Sequence, residues 1–560
     1  MISNFIPHYF KLTSVQNLDA NARYAQILAA HYIRHCCRQY GCKDAELSIN
    51  NQISFAHKGL LWAEGVLNRI FGNNLNPLYH LGALGFYFFW VVAVSGAYIY
   101  AFYKTGIELS HPSVEYYTNE QWYLGGIMRS MHRYASDALV LVMFLHLLRE
   151  YILGRYRGAR WFAWVTGVIL IWMILTAGIN GYWMVWDKLA QYGVVTTVEW
   201  FDWLPIFSEP LARTFITYEA LNDRFFTLIS FAHVTIPLLI LFMLWVHIMR
   251  ISYPVVNPRK RLAIGMLLML LVLSLILPVQ SQGLADMAVE PRVLQIDWFY
   301  LWVYPLLGVW SAGQVWALVS GITLLLCVLP WLPAKNKQIP VAEVSLKDCS
   351  GCRLCVADCP YEAVVMRPRS DGLNFMEEAV VVPDRCVSCG ICVGACPSSN
   401  PFRGEEQYIS GIEMPSLQMS DLRAAVMNEM SRLKGDLRIM VFGCDNAANV
   451  EELRSEYVAV FSLPCIAMLP PTFIEYVLRE GYMDGVLLTG CRDGDCLHRM
   501  GVLWTVKRLA AEREPRLRSR VKRERIREYW ASSSDLDALA MELKSFRADL
   551  SGLPSIRQGT

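Results

Sequence analysis

Cys349, Cys352, Cys355 and Cys359, followed by Pro360, recur as Cys386, Cys389, Cys392 and Cys396, followed by Pro397. Thiolates at this spacing suit polynuclear iron–sulfur clusters, so the two runs predict two 4Fe-4S clusters. The alternative, a pair of zinc ribbons, needs cysteines gathered tetrahedrally about one ion, and four-cysteine ladders with a trailing proline are not spaced for that. A second chemistry lies upstream, where His132 and His146 form one pair and His233 and His247 another, each 14 residues apart. Four helical turns separate such residues, so both imidazoles of a pair project from one helix face about 21 Å apart. Two helices presenting this pattern side by side make two stacked bis-histidine sites, His132 with His233 and His146 with His247, each able to hold a b-type haem. A polar contact inside a helix bundle is the alternative for any single histidine, but matched spacing on two helices argues against it.

These residues need a membrane to hold them. The chain has 560 residues, 54% of them hydrophobic and only 18% charged. Six stretches, at roughly 81–103, 127–149, 162–186, 225–249, 262–281 and 311–332, read as helices able to cross about 30 Å of hydrocarbon. Basic residues mark alternate connections: Arg149, Arg155, Arg157 and Arg160, then Arg250, Arg259, Lys260 and Arg261, then Lys335 and Lys337. The positive-inside rule makes these connections cytoplasmic and puts both termini there too. The ladder begins just after the sixth stretch, which places it, by expectation, beside the inner haem.

Twelve of the sixteen cysteines follow residue 348, a distribution that favours metal ligation in a reducing compartment over disulfides. Four of them follow the ladder. "LRIMVFGC", "YVAVFSLPC" and "DGVLLTGC" read as short strands that end in Cys444, Cys465 and Cys491, with Cys496 close behind. Ligands collect at the carboxyl ends of strands in open α/β sheets, so these four thiols are expected to bind a 2Fe-2S cluster, with buried structural cysteines as the alternative.

Three resemblances support these readings. The segments "IMRSMHRYASDALVLVMFLHLLREYILG" and "FAHVTIPLLILFMLWVHIMR" resemble the second and fourth helices of cytochrome b from bc-type quinol complexes. That likeness implies haem-propionate roles for Arg129 and Arg149 and close haem approach at Gly82, Gly85 and Gly96. It also implies that "IDWFYLWVYPLL" is the quinol-oxidising loop, with Asp297 as proton acceptor; a helix-capping role is the alternative for that residue. The ladder resembles bacterial ferredoxins, in which the fourth cysteine of each run serves the other cluster. This implies the sets Cys349, Cys352, Cys355, Cys396 and Cys386, Cys389, Cys392, Cys359. The segments "FGCDNAAN", "LPCIAMLPP" and "EGYMDGVLLTGCRDGDCLHRMG" are similar to the delta subunit of methyl-viologen-reducing hydrogenases, with Ala447 where that family commonly has a second cysteine.

The resulting expectation is a membrane all-α bundle of six transmembrane helices, cytochrome b-like, followed by a ferredoxin-like domain and a small α/β domain. The boundaries are 1–75 for an N-terminal cytoplasmic extension, 76–334 for the membrane domain, 340–405 for the ferredoxin part, 436–510 for the delta-like part and 511–560 for a charged helical tail. The irregular spacing of His31, His35, Cys36, Cys37 and Cys42 in the extension favours a polar helical cap over the alternative of a metal site, and the arginines of 507–528 read as a solvated helix face, with docking on anionic lipid or an acidic partner as the alternative. His498 reads as a surface residue. The function expected is electron transfer between quinone or quinol and cytoplasmic iron–sulfur or flavin partners, in the inner membrane of a prokaryote. The alternative is an anchor subunit of a hydrogenase or heterodisulfide-reductase-like complex. Expected partners are membrane lipid, quinone, subunits of those complexes, a Rieske-type subunit and a second copy of the chain. A net charge of +2 argues against nucleic acid. The N-terminal stretch does not read as a secretory leader, and the chain has no P-loop, dinucleotide-binding glycine motif or nucleophile triad.

Overall fold

The computed structural model describes residues 43–554 except 73, 207–221, 250–254, 292, 333–339, 373–374, 403–409, 436, 480–481 and 493–495. His31, His35, Cys36, Cys37, Cys42, Arg250, Lys335 and Lys337 lie outside the described residues. The chain divides into two compact units, Met1–Leu61 and Trp62–Thr560.

The longer helices before the cysteine ladder, in chain order, are α1 (Lys43–Phe71), α2 (Leu81–Phe102), α3 (Ile127–Ile152), α4 (Trp161–Val185), α5 (Lys188–Asp202), α6 (Asp223–Met249), α7 (Lys260–Ile276) and α8 (Ala312–Val328). Local signals set their ends. Trp186 takes a left-handed conformation (φ 53°) and stops α4, and the Asp187 carboxylate then accepts from the Ala190 amide and starts α5. Ser311 and Gln314 form a reciprocal capping box on α8. Extensive contacts pair α2 with α3 and α4 with α6.

Four helices are long and apolar enough to cross a membrane among the described residues: Pro77–Phe102, Trp161–Val185, Asp223–Met249 and Ala312–Trp331. The other two of the six expected spans differ for separate reasons. α3 carries Arg129, Arg133, Asp137, Arg149 and Glu150, which lowers its hydropathy, yet Arg129 and Arg149 are buried. A polar group inside a membrane helix that turns inward in this way commonly has a function. α7 has 17 residues, about 26 Å of helix at 1.5 Å per residue. On α6 the outward side chains are themselves apolar, with Phe231, Leu238, Phe242 and Trp245 all exposed, as a lipid-facing surface requires.

Two small antiparallel pairs frame the cysteine ladder: β1 (Glu343–Val344) with β4 (Ile412–Glu413), and β2 (Val364–Pro368) with β3 (Glu377–Val381). Beyond them β5 (Ile439–Cys444), β6 (Val458–Leu463), β7 (Gly485–Gly490) and β8 (Ile526–Trp530) form a parallel sheet in the order β6-β5-β7-β8. Its central strands β5 and β7 are buried throughout, as expected of parallel strands covered on both faces. Phe442 and Leu488 pack with the helix Pro471–Arg479 on one face, while Val441 and Leu487 pack with Leu539, Phe546 and Leu550 of the helix Leu536–Ser551 on the other.

The boundary expected at 510 therefore cuts through this α/β unit, because β8 pairs with β7 and the helix after it closes the second face. Of the arginines read as a solvated face, Arg516, Arg518, Arg520 and Arg523 are exposed, whereas others are buried or paired. Arg508 is buried and donates to Asp358 at 2.5 Å, and Arg513 pairs with the same carboxylate. Arg525 donates to the Asp484 carbonyl at 2.8 Å, and Arg527 reaches Glu542 and Asp549. Removing one partner of a buried ion pair costs about 3–5 kcal/mol. Asp358→Ala is therefore expected to destabilise the tail by that order, measured as earlier bleaching of iron–sulfur absorbance in a denaturant titration. A wild-type midpoint would mean that Arg508 is adequately held by the Ala467 carbonyl alone.

Candidate functional site

α3 and α6 bring the histidine pairs together. The rings of His132 and His233 meet edge to face with centroids 6.3 Å apart, leaving room for a metal–nitrogen bond of about 2 Å on each side. Each histidine also rests on a glycine of the neighbouring helix. A β-carbon on Gly96 or Gly181 would lie 2.8 Å from Cε1 of His132 or His233, and one on Gly167 or Gly82 would lie 3.2 or 3.6 Å from Cε1 of His247 or His146. Gly167 and Gly181 escaped the sequence reading, although they repeat the 14-residue spacing of Gly82 and Gly96. Gly85 plays a different part, since a β-carbon there would strike Met143.

Hydrogen bonds leave the outward ring nitrogens free. His132 Nδ1–H donates to the Val92 carbonyl at 2.9 Å, and His233 Nδ1–H to the Ala177 carbonyl at 3.0 Å. Thr166 Oγ1, whose own proton goes to the Phe162 carbonyl, accepts from His247 Nδ1–H at 2.9 Å. A neutral imidazole with its proton fixed on Nδ1 offers Nε2 as an axial ligand. Glycine cradles and oriented nitrogens together fit haem, a flat macrocycle that needs close approach to backbone on its flanks.

The two arginines implied as propionate partners are buried and paired. Arg129 donates to Thr118 Oγ1 at 2.6 Å and Ser281 Oγ at 2.9 Å, with Glu115 at 3.9 Å. Arg149 pairs with Glu64 at 3.1 Å. Asp297 is held by three partners. Its Oδ1 accepts the Phe299 amide at 2.8 Å in a turn rather than at the start of a helix, while its Oδ2 accepts from the Tyr182 hydroxyl at 2.6 Å and pairs with Arg133 at 2.9 Å.

In the tail, Cys349, Cys352, Cys355 and Cys396 line one small cavity, and Cys359, Cys386, Cys389 and Cys392 line another. These groupings are the exchanged sets that the ladder's resemblance implies. The helices Leu354–Asp358 and Ile391–Ala395 place two ladder cysteines at the wall of each cavity. Among the described residues, no three His, Cys, Asp or Glu side chains converge on a single ion. Thiols standing around a cavity in this way suit a polynuclear cluster. Burial raises the thiols of Cys355 and Cys389 to about 12, so loading a cluster there must expel protons.

The strand-end cysteines also gather. Cys444 Sγ and Cys491 Sγ are 3.9 Å apart, and Cys496 packs against the same small cluster, which includes Ala447. A β-carbon on Gly501 would meet both Cys465 Sγ (2.4 Å) and Cys496 Sγ (3.5 Å), so one glycine leaves space shared by the remaining two thiols. Cys465 and Cys389 belong to one buried cluster, which brings the strand-end site next to the second ladder cavity. His498 is buried rather than at the surface: its Nδ1 bonds the Tyr361 hydroxyl at 2.9 Å, and burial pushes its imidazole down to about 4.

The membrane helices meet the tail at this strand-end region. Arg160 Nη2 donates to the Leu497 carbonyl at 2.6 Å, and Arg492 donates to the Tyr79 hydroxyl. The ladder reaches the same region through Tyr361, which bonds His498 next to Leu497. Chain order places the ladder first after the membrane, but the parallel sheet carries its strand ends, and Arg492 with them, back to the helices.

Residues 66–255 match the family model Cytochrome b/b6/petB, 348–400 the 4Fe-4S dicluster domain, and 439–553 the delta subunit of methyl-viologen-reducing hydrogenase. A solved structure titled "Hyperthermophilic respiratory Complex III" is similar at 20% identity and TM-score 0.40, over 47% of this chain and 77% of that one. That likeness of shape carries no assignment; the three sequence matches do. In that order, a cytochrome b segment, a 4Fe-4S dicluster domain and a hydrogenase-delta-like domain make this chain an integral-membrane electron-transfer protein of the oxidoreductases.

Proposed function

We propose that the chain carries electrons between a quinone pool and a cytoplasmic redox partner, using two b haems, two 4Fe-4S clusters and a 2Fe-2S cluster. The observation that carries this reading is the doubled arrangement of four histidines on four glycines, because a bundle that used its histidines only as polar contacts would not need the glycines opposite them. Haem and iron–sulfur centres supply one-electron chemistry, and the protein fixes their spacing, potential and access.

In this reading the bundle crosses the inner membrane of a prokaryote six times, with both termini and all twelve tail cysteines in the cytoplasm. The charges of α3 turn inward, and the shorter α7 spans with a locally thinned bilayer, which supports two crossings beyond the four apolar ones. His132 and His233 hold the outer haem and His146 and His247 the inner. Arg129 and Arg149 turn to propionates once haem is bound, and Asp297 takes the proton of quinol. In this reading 340–405 folds as a ferredoxin-like domain whose two 4Fe-4S clusters are held by the two exchanged cysteine sets, and Cys444, Cys465, Cys491 and Cys496 hold the third cluster. The soluble partner is a hydrogenase or heterodisulfide-reductase-like subunit, and a Rieske-type subunit and a second copy of the chain complete a respiratory assembly.

A reduced-minus-oxidised optical spectrum with iron quantification on the purified chain tests the whole reading. Two b-type haems and an iron content above that of two 4Fe-4S clusters are expected. An anchor subunit would retain the helices and show no haem. A narrower test addresses the third cluster, where Cys444→Ser is expected to alter a 2Fe-2S-type paramagnetic signal and spare both 4Fe-4S signals. Collapse of the 4Fe-4S signals instead would remove the strand-end assignment.

A further inference from the structure

Tyr79 stands in a 3-10 turn (Pro77–His80) just before α2, with 7% of its surface exposed. Two guanidinium groups flank its ring, Arg149 at 5.5 Å and Arg492 at 5.0 Å from the centroid. Its hydroxyl accepts from Arg492 and from Asn68 Nδ2, the latter at 3.1 Å. Arg149 lies three residues from His146, and Arg492 is the residue after Cys491. One buried ring therefore joins the helix of the inner histidine pair to the strand-end cysteine site. Cation–π contacts strengthen when they are desolvated, as here. Arg160 adds a second bolt nearby, bonded to the Leu497 carbonyl beside Cys496 and to Glu150 of α3 at 3.3 Å.

The ladder is linked to the strand-end side of this junction by two contacts. Cys465 packs with Cys389 of the second ladder cavity, and Tyr361 of that cavity's wall bonds His498. The first ladder cavity holds Cys352, which is exposed.

We infer that Tyr79 is the positioning residue of the membrane–tail junction, and that the strand-end cysteine site, not the cysteine ladder, exchanges electrons directly with the inner haem. This rests on the cofactor assignments proposed above. In the transfer, one electron leaves the reduced strand-end cluster, which is oxidised by one unit, and reduces the inner haem iron from ferric to ferrous. No bond is made or broken and no proton moves; in the opposite direction the two centres exchange roles. The ladder then serves the cytoplasmic end, with the cluster beside Cys352 the last before a soluble partner.

The test uses the full chain and paramagnetic relaxation of its own centres. In the wild type, the strand-end cluster signal is expected to relax faster when the inner haem is ferric than when it is ferrous, with the 4Fe-4S signals much less affected. Tyr79→Leu is expected to keep haem and iron content, to weaken that enhancement, and to slow cluster-to-haem transfer by about tenfold, through loss of a desolvated cation–π contact. Tyr79→Phe keeps the ring between the guanidiniums and is expected to stay near wild type. A 4Fe-4S signal carrying the larger enhancement, or an enhancement unchanged in Tyr79→Leu, would overturn the inference. The wild-type comparison decides the order of centres even if the leucine variant does not fold. A wild-type chain lacking the inner haem or the third cluster would instead defeat the underlying assignments, and this inference with them, before any variant is compared.

Discussion

His247→Ala is expected to remove the inner haem and leave the outer, and Gly181→Leu to do the reverse. Alanine at 247 deletes one of two axial nitrogens, and a haem held only by His146 should be lost or become high-spin. Gly181 acts through space: its missing side chain leaves the flank of His233 open, and a β-carbon there would already lie 2.8 Å from that ring. A leucine cannot be absorbed, because Gly181 lies within the hydrogen-bonded last turns of α4, whose backbone cannot move away from His233 without breaking the helix. Overpacking costs about 1–3 kcal/mol, which a bundle of this size tolerates while the site does not. Optical spectra with haem quantification on both variants, beside wild type, check the pair of results. Loss of the same haem in both would show that the stacked pairing, His132 with His233 and His146 with His247, is wrong.

The histidines and the ladder were legible because ligand spacing is a local property, written into one helix or one run of residues. The glycine cradles were half legible. Glycine in a membrane helix has several uses, so Gly167 and Gly181 gain meaning only once α4 is known to lie along α6. A signal was nevertheless available, since their 14-residue spacing copies that of the histidines, and Ser95 and Thr166 each precede a cradle glycine. The arginines after residue 507 misled for a different reason: the carboxylate that buries Arg508 is Asp358, 150 residues upstream. Tyr79 and Arg492 are 413 residues apart, and nothing in either segment announces the other. Order along the chain was similarly a poor guide to order in space. A parallel sheet gathers residues from four strands at one edge, and that edge meets the helices.

Asp297→Asn is expected to keep both haems and all clusters while slowing haem reduction by quinol by about 10²–10⁴-fold, the usual contribution of a positioned proton acceptor. The geometry makes the substitution informative. The asparagine side-chain oxygen accepts an amide hydrogen bond as the aspartate does, so the Phe299 amide in the turn keeps its partner. The amide oxygen can still accept from Tyr182, and Arg133 keeps its pairing with Asp137. What the variant loses is a negative charge and the capacity to bind a proton. Arg133 is the cation shared by two carboxylates, Asp137 and Asp297, so the cluster carries one more negative charge than positive and can take up a proton without stranding a second cation. Arg133 also follows His132 directly, which places the cluster beside the outer histidine pair, where quinol would give up its electron and its proton together. Stopped-flow haem reduction by a short-chain quinol measures the step. Wild-type rates in the variant would leave Asp297 as a turn-stabilising residue and ion-pair partner, and would move quinone chemistry to a pocket near His146 and His247.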